Sequence, residues 1–314
     1  MHRYLLGRLG ATEAELGSLP PNNAMDEIVN AMGLAAAEYG APGAAMVMVV
    51  QPGERNAYDQ QWLQTRLWER HHVRTLRRSL GQLAEEGQLD AAGRLSVGGI
   101  PVAVVYYRAG YTPADYPTPV EWGVRVLLES SDAFKCPSVA YQLAGAKKVQ
   151  QDLAAPGVVE RYAPSPDDAS LLRSFFAGQW ALEDPEAPAT AAAVADALQH
   201  PERYVLKPQR EGGGNNFYGA ALTDRLLQRE GLAAYILMQR IMPPTNRAVM
   251  VRLGQAVEAD TLSELGVYGT LVRRGSRVLL NRRAGLLVRT KAATSDEGGV
   301  AAGYAVLDSP QLVV

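Results

Sequence analysis

"RYVLKPQREGGGNNFYG", Arg203 to Gly219, is the stretch on which the reading of the fold turns. A strand-like run, "RYVL", leads into Lys207. Pro208, Gln209, Arg210 and Glu211 follow, then the consecutive glycines Gly212, Gly213 and Gly214, then Asn215 and Asn216. Glycine inside an ordered element loses conformational entropy and adds nothing to a core. The triplet is therefore either a slack linker or a backbone that something must approach closely.

Two glycine motifs with a known mechanism are absent. There is no G-x-x-x-x-G-K-[ST], and no G-x-G-x-x-G follows a strand. The triplet lies between two strand-like runs and begins no clear helix. What remains is a glycine hairpin whose bare N–H groups could close over a polyanion. Lys207 would neutralise phosphate charge. Glu211 would repel it unless a divalent cation lay between them. Lysine, acid and glycine loop together read as a site for nucleotide phosphate with Mg²⁺, and an exposed flexible hairpin is the alternative.

Upstream the pattern is α/β. "NNAMDEIVNAMGLAAAEYG" offers Asn22 and Asn23 as N-caps, Met25, Ile28, Val29 and Met32 at helical spacing, and Gly40 as a stop. "AAMVMVV" is a short continuous apolar run, as in a parallel strand buried on both faces. A helix containing Trp62, Leu63, Leu67 and Trp68 follows, then a strand in "HHVRTLRR". "LGQLAEEG" predicts a short helix, and "RLSVGGIPVAVVYY" a hairpin-like turn into a third strand. This alternation predicts a mostly parallel sheet over about residues 42–146. Ligands bind at the C-terminal edge of such sheets. Two loops leave that edge, "QPGERNAYDQ" and "RAGY", so Arg55, Asn56, Arg108 and Tyr111 are site candidates. Helix-capping loop residues are the alternative reading.

Downstream, "CPSVAYQLAGAKKVQQDLA" predicts a helical stretch, and Pro/Ala/acid-rich connectors follow. From Tyr204 onward strands are expected: "YVLKP", "FYGAAL", "AAYILMQRI", "RAVMVRL", "LGVYGTLVRR", "RVLLNRRAG" and "LLVRTK". "ILMQRI" could hold a flat base or be a plain core strand. In "SELG", Glu264 could bind ribose or metal, or be exposed. "LLVRTKAATSDEGGVAAG" joins Arg289 and Lys291 to a second flexible glycine/alanine loop, an arrangement suited to binding anions and excluding water.

Composition narrows the partners. The 314 residues are 47% hydrophobic and 20% charged, ordinary for a soluble globular protein. Net charge is −2, so no global basic excess points to nucleic acid. The clusters "RTLRRSL" and "VRRGSRVLLNRRAG" are interleaved with apolar residues and read as solvated faces. The single cysteine, Cys136, excludes an intrachain disulfide framework and reads as a small buried or half-buried side chain. No apolar run is long enough to span a bilayer, and no signal-peptide core is evident. H-E-x-x-H and G-x-S-x-G are both absent.

"KPQREGGGNN", "QLAGAKKVQQ", "SELGVYG", "RTKA" and "GGVAAG", in this order, resemble eukaryotic-type glutathione synthetase, an ATP-grasp ligase. "ERNAYDQ" and "RAGY" are similar to its substrate-domain motifs. The resemblance runs from about residue 2 to the C-terminus. It implies an α/β chain with an ATP-grasp fold and an inserted parallel α/β substrate-binding domain. The parts would be a helical remnant at 1–41, the substrate-binding domain at 42–146, and the nucleotide-binding region with its lid loops at 147–314. The implied reaction joins γ-glutamylcysteine and glycine through an acyl phosphate, giving glutathione, ADP and phosphate. ATP and Mg²⁺ would serve it in a cytoplasmic or plastid homodimer. Relatives that use β-alanine instead of glycine are an alternative.

By the same resemblance Lys147 and Lys207 contact ATP phosphates and, with Arg289, carry catalysis. Glu211 is a magnesium ligand. Pro208, Gln209, Arg210, Gly212, Gly213, Gly214, Asn215, Asn216 and Tyr218 enclose the nucleotide. Met238, Gln239, Arg240 and Ile241 line the adenine slot, and Glu264, Lys291 and Glu297 also contact nucleotide. Glu54, Arg55, Asn56, Gln60, Arg108, Ala109, Gly110, Tyr111, Arg289, Val300 and Ala301 fall at peptide-substrate positions. Ala109 stands where the family commonly has Asp, and Gln239 and Arg240 stand where Glu and Lys are common. Asp296 competes with Glu297 for the acidic position of the flap. The family has a long N-terminal part before the segment resembling "MHRYLLGRLG", with an E-x-N pair that supplies further magnesium ligands. That part does not occur in these residues. The expectation is an incomplete copy of a longer chain, with turnover impaired or lost.

Overall fold

The computed structural model describes residues 2–54, 57–209, 215–252, 254–295, 299–300 and 303–312. The chain divides into two compact units. The first comprises Met1–Val139, Ser263–Thr290 and Val306–Val314, and the second Ala140–Leu262 and Lys291–Ala305.

The first unit opens with helices α1 (His2–Arg8), α2 (Glu13–Gly17) and α3 (Ala24–Tyr39). Then come β1 (Ala45–Val49), α4 (Tyr58–His71), β2 (Thr75–Arg78), α5 (Leu80–Glu86), β3 (Gly87–Leu89), β4 (Leu95–Val97), β5 (Ile100–Tyr107), α6 (Pro119–Ser130) and β6 (Phe134–Cys136). β1 pairs in parallel with β2 and with β5, and β6 pairs in parallel with β5. β3 and β4 extend the sheet as an antiparallel meander.

Every residue of β1 is fully buried, as a parallel strand with helices on both faces must be. Its alternation explains the apolar run. Ala45, Val47 and Val49 pack with Leu80, Leu83, Val124 and Leu128 of α5 and α6. Met46 and Met48 pack with Val29, Met32, Leu63 and Leu67 of α3 and α4.

In the second unit α7 (Val139–Ala144), which begins at its boundary, is followed by α8 (Lys147–Ala154), α9 (Pro166–Ser174), β7 (Gln179–Ala181), α10 (Pro188–Gln199), β8 (Tyr204–Pro208), α11 (Gly219–Gln228), β9 (Tyr235–Gln239) and β10 (Asn246–Arg252). β9 pairs antiparallel with β7 on one side and β8 on the other. Leu206, Leu222 and Leu237 are fully buried between this sheet and α10 and α11. The long strands β11 (Gln255–Arg274) and β12 (Arg277–Ala292) carry residues of both units, and β13 (Ala305–Asp308) completes the order β10-β11-β12-β13.

Several local expectations are corrected. "FYGAAL" is not a strand. Phe217 makes one bridge to Leu206, and α11 begins at Gly219. Leu222 and Leu226, one turn apart, bury the helix face, and that pair reaches beyond the short window read as a strand. "RVLLNRRAG" and "LLVRTK" form one strand, β12, running through Gly285. Trp62 and Trp68 are exposed, and α4 buries Gln60, Leu63 and Leu67 instead. Cys136 is exposed.

Gly40 ends α3 as expected, in the left-handed conformation. Asn23 precedes that helix without a side-chain cap. Asn22 instead donates from Nδ2 to the Leu286 carbonyl (2.7 Å) and accepts the Leu286 N–H at Oδ1 (3.1 Å). One amide side chain thus satisfies both backbone groups of a strand residue.

Candidate functional site

In the second unit, β8 delivers Lys207 at its penultimate residue, half-buried, where the strand pairs with Ile236 of β9. Gln209 follows the strand. Its N–H donates to the Ala234 carbonyl (3.1 Å), and its Oε1 accepts the Lys148 N–H (3.1 Å). That bond joins the segment carrying Lys207 to the first turn of α8, where Lys147 is the first residue. Lys148 itself is committed to acids. Its Nζ lies 2.7 Å from Glu183 and 3.5 Å from Asp152, and its hydrogen bond holds the Glu183 carboxyl below the ordinary range.

Beyond the triplet the chain returns to β8. Phe217 and Leu206 exchange both backbone hydrogen bonds (2.9 and 3.1 Å). The loop closed by this bridge holds Arg210, Glu211, Gly212, Gly213 and Gly214, which lie outside the described residues. Asn216 Nδ2 donates to the Tyr218 hydroxyl (3.4 Å), and the Arg240 guanidinium lies 5.3 Å from the centre of the Tyr218 ring. Two positions assigned to nucleotide from distant motifs, Tyr218 and Arg240, are therefore neighbours.

At the end of β9, Met238 is half-buried and Ile241 is 72% exposed. The Gln239 N–H donates to the Gly178 carbonyl (2.8 Å), and its Oε1 accepts the Gly178 N–H (3.1 Å). With that side-chain oxygen engaged, substitution of the usual Glu leaves the strand-end backbone in place. A cavity of about 330 Å³ lies on this unit, lined by residues that include Arg173, Gly178 and Trp180. None of the expected nucleotide residues lines it, and Arg173 is already paired with Glu160.

In the first unit, the loops after β1 and β5 meet. The Ala109 N–H donates to the Val49 carbonyl (2.9 Å), and Ala109 is buried. Arg108 Nε donates to Asp59 at the start of α4 (3.0 Å). Gln60 is buried, and its Oε1 accepts from Arg77 Nε (2.9 Å). Glu54 is half-buried and Tyr111 is 44% exposed. Arg55 and Asn56 lie outside the described residues.

The residue that organises the β5 loop was not singled out in the sequence. Asp115 Oδ2 accepts from the N–H groups of Gly110 (3.1 Å), Tyr111 (3.2 Å) and Thr112 (3.1 Å) and from the Thr112 hydroxyl (3.1 Å). Its Oδ1 accepts from Gln51 of the β1 loop (3.0 Å). Burial works to raise this carboxyl, but the hydrogen bonds from Gln51, Thr112 and Gly110 outweigh it and hold it below the ordinary range. The signal was available as the capping pattern Thr112-Pro-Ala-Asp115.

Also in this unit, Arg289 Nη2 donates to both carboxylate oxygens of Glu264 at 2.6 Å. The acid read as a nucleotide contact and the arginine read as a substrate contact are thus partners. Lys291 and Val300 belong to the second unit, where Val300 accepts the Gly303 N–H (2.9 Å). Asp296, Glu297 and Ala301 lie outside the described residues.

No group of three or more metal-ligating side chains occurs among the described residues, and Glu211 is outside them. The described residues therefore do not compose a magnesium site, and no step is assigned to the ion.

The fold and these clusters define the class first. A parallel α/β unit and a unit built on an antiparallel sheet are the architecture that the resemblance to an ATP-grasp ligase implies. The family model described as eukaryotic glutathione synthase, ATP binding domain, matches residues 1–312, and the chain belongs to that family. Among its relatives, the chloroplastic glutathione synthetase of Solanum lycopersicum is 49% identical over the full chain, and glutathione synthetase of Homo sapiens is 42% identical over 99% of it. The chain spans only 57% and 65% of those two relatives. A glutathione synthetase-like effector from Globodera pallida shares the fold with a TM-score of 0.74 over 99% of this chain and 66% of that one, at 20% identity.

Proposed function

We propose that the chain takes part in ATP-dependent ligation of γ-glutamylcysteine to glycine, forming glutathione and ADP. The observation that carries this reading is the 42–49% identity, across essentially the whole chain, to proteins named glutathione synthetase. The geometry agrees with it. The Gln209–Lys148 hydrogen bond brings the segments carrying Lys147 and Lys207 together. Lys147 and Lys207 would neutralise nucleotide phosphate, and the end of β9, Met238 to Ile241, would receive the base.

Phosphorylation of the dipeptide's cysteinyl carboxylate would ask the protein mainly for positioning and charge neutralisation. The glycine amine would then attack the acyl phosphate. Residues 42–146 would form the substrate-binding domain, with Arg108 and Tyr111 on the dipeptide. Glu211 would carry magnesium. A homodimer, in the cytoplasm or in a plastid, belongs to the same reading.

The test is ADP release from Mg·ATP by the purified chain. Slow release that requires both γ-glutamylcysteine and glycine is the expected result, in line with the impaired turnover that the resemblance implies. Nucleotide binding with no release under any pairing of substrates would reject ligation and leave a nucleotide-binding protein.

A second expectation separates substrate binding from stability. The Arg289–Glu264 pair is exposed, with side-chain exposures of 35% and 66%, and such pairs contribute about 0–1 kcal/mol. Arg289→Met should shift Tm by no more than a degree or two. Its dipeptide affinity, read by calorimetry, should fall about tenfold or more, because a charged hydrogen bond to the substrate is lost. Unchanged affinity would remove Arg289 from the site.

A further inference from the structure

We propose that Asp115 is a positioning residue for the peptide substrate, fixing the Arg108–Tyr111 loop and tying it to the β1 loop. The inference rests on the reading above, in which that loop meets the dipeptide.

The start of the loop is held by the Arg108–Asp59 and Ala109–Val49 bonds, and its turn by other groups. It leaves β5 at Arg108, passes through buried Ala109, and turns at Gly110 with φ +92°. Only glycine adopts that backbone readily. A Cβ at Gly110 would stand 3.0 Å from the Tyr116 hydroxyl, so the turn is also sterically enclosed. The N–H groups of Gly110, Tyr111 and Thr112 all point to one side, and each needs an acceptor. A single carboxylate oxygen, Asp115 Oδ2, receives all three. Neutral side chains accept weakly by comparison, because ionised acceptors make shorter and stronger hydrogen bonds.

The other face of the turn is held as well. The Gly110 carbonyl accepts from the Tyr116 hydroxyl (2.8 Å) and, at 3.5 Å, from Nη1 of buried Arg125. With its N–H groups on Asp115 and its carbonyl on Tyr116, the turn has one conformation open to it. The remaining oxygen, Oδ1, extends the constraint across the sheet edge. It accepts from Gln51, so the loop after β1 and the loop after β5 share one side chain. Those two loops carry Glu54, Arg108 and Tyr111. Without Asp115 they would still be joined, among the described residues, by the Ala109 to Val49 backbone bond and the Arg108–Asp59 ion pair, neither of which holds the turn at Gly110–Thr112. Ordering them in advance lowers the entropic cost of gripping a flexible dipeptide.

The experiment measures γ-glutamylcysteine and Mg·ATP affinities by calorimetry, and amide exchange over residues 108–116 by mass spectrometry, on the full chain. Asp115→Ala should speed exchange at Gly110–Thr112 and weaken the dipeptide about tenfold or more, with Mg·ATP affinity unchanged. Asp115→Asn keeps an acceptor oxygen and should recover part of both losses. Gln51→Ala, which keeps Asp115 and its turn, should weaken the dipeptide severalfold and serves if Asp115→Ala does not fold.

Dipeptide affinity unchanged in Asp115→Ala and Gln51→Ala, with the wild-type chain binding normally, would overturn the positioning role alone. A wild-type chain that binds Mg·ATP but no dipeptide would overturn the reading on which the role rests, and the role with it.

Discussion

Lys207→Met is expected to weaken Mg·ATP binding by about tenfold to a hundredfold and to lower any ligase turnover by about a hundredfold to a thousandfold. The lysine stands where β8 ends and the glycine loop begins, and its strand partner is Ile236. Methionine keeps most of the apolar stem and removes the charge. The half-buried position should therefore tolerate it, and Tm should move little. The affinity loss would come from phosphate charge left without its counter-charge. Calorimetric titration with Mg·ATP reads the first effect, and coupled ADP release reads the second. A variant that binds Mg·ATP as the wild type does would remove Lys207 from the nucleotide site.

Gly285→Val is expected to cost about 3–5 kcal/mol, lowering Tm by roughly 10 °C. A Cβ on Gly285 would stand 2.5 Å from the Ala24 Cβ, 2.5 Å from Asn22 Oδ1 and 2.8 Å from the Ala24 Cα. Two of those three atoms belong to the start of α3, which cannot turn aside as a flexible side chain would. Relief would have to come from moving the helix, and that would break both bonds from Asn22 to Leu286. Thermal unfolding checks the magnitude. Ala24→Gly combined with Gly285→Ala should recover part of what Gly285→Ala loses alone. A Tm within 2 °C of wild type for Gly285→Val would mean that the start of α3 does not rest on β12.

The contrast between these two glycine-bearing segments marks how much the sequence reveals. The 212–214 triplet stands out in the sequence because three adjacent glycines between a lysine and two asparagines have few structural uses, though it lies outside the described residues. Gly285 sits in an arginine-rich strand and looks like a break between strands. Its reason is Ala24, more than 250 residues away, and no local pattern encodes that proximity. The parallel sheet was readable because β1 is buried on both faces and shows it as an unbroken apolar run.

The start of α11 reads as a strand because the aromatic pair in "FYG" outweighs a leucine pair that is complete only at Leu226. In the candidate site, charged and glycine residues are the ones that a reading of the sequence singles out. Asp115, which acts on backbone N–H groups, looked like one more turn residue. Gln51 and Asp59, its companions at the sheet edge, had only their place in a loop to mark them.

The order in which the first unit becomes complete follows from its composition. Its parallel strands are all synthesised by Cys136, yet Ser263–Thr290 and Val306–Val314 belong to the same unit. Residues 140–262 lie between, so the last pieces close a very long loop, and such non-local closure slows folding. During translation the emerging β1–β5 core must wait, with Val272, Leu279 and Leu280 still missing from the cluster around Met46 and Met48. That surface is apolar, and a nascent chain that exposes it is prone to aggregate until the last pieces arrive.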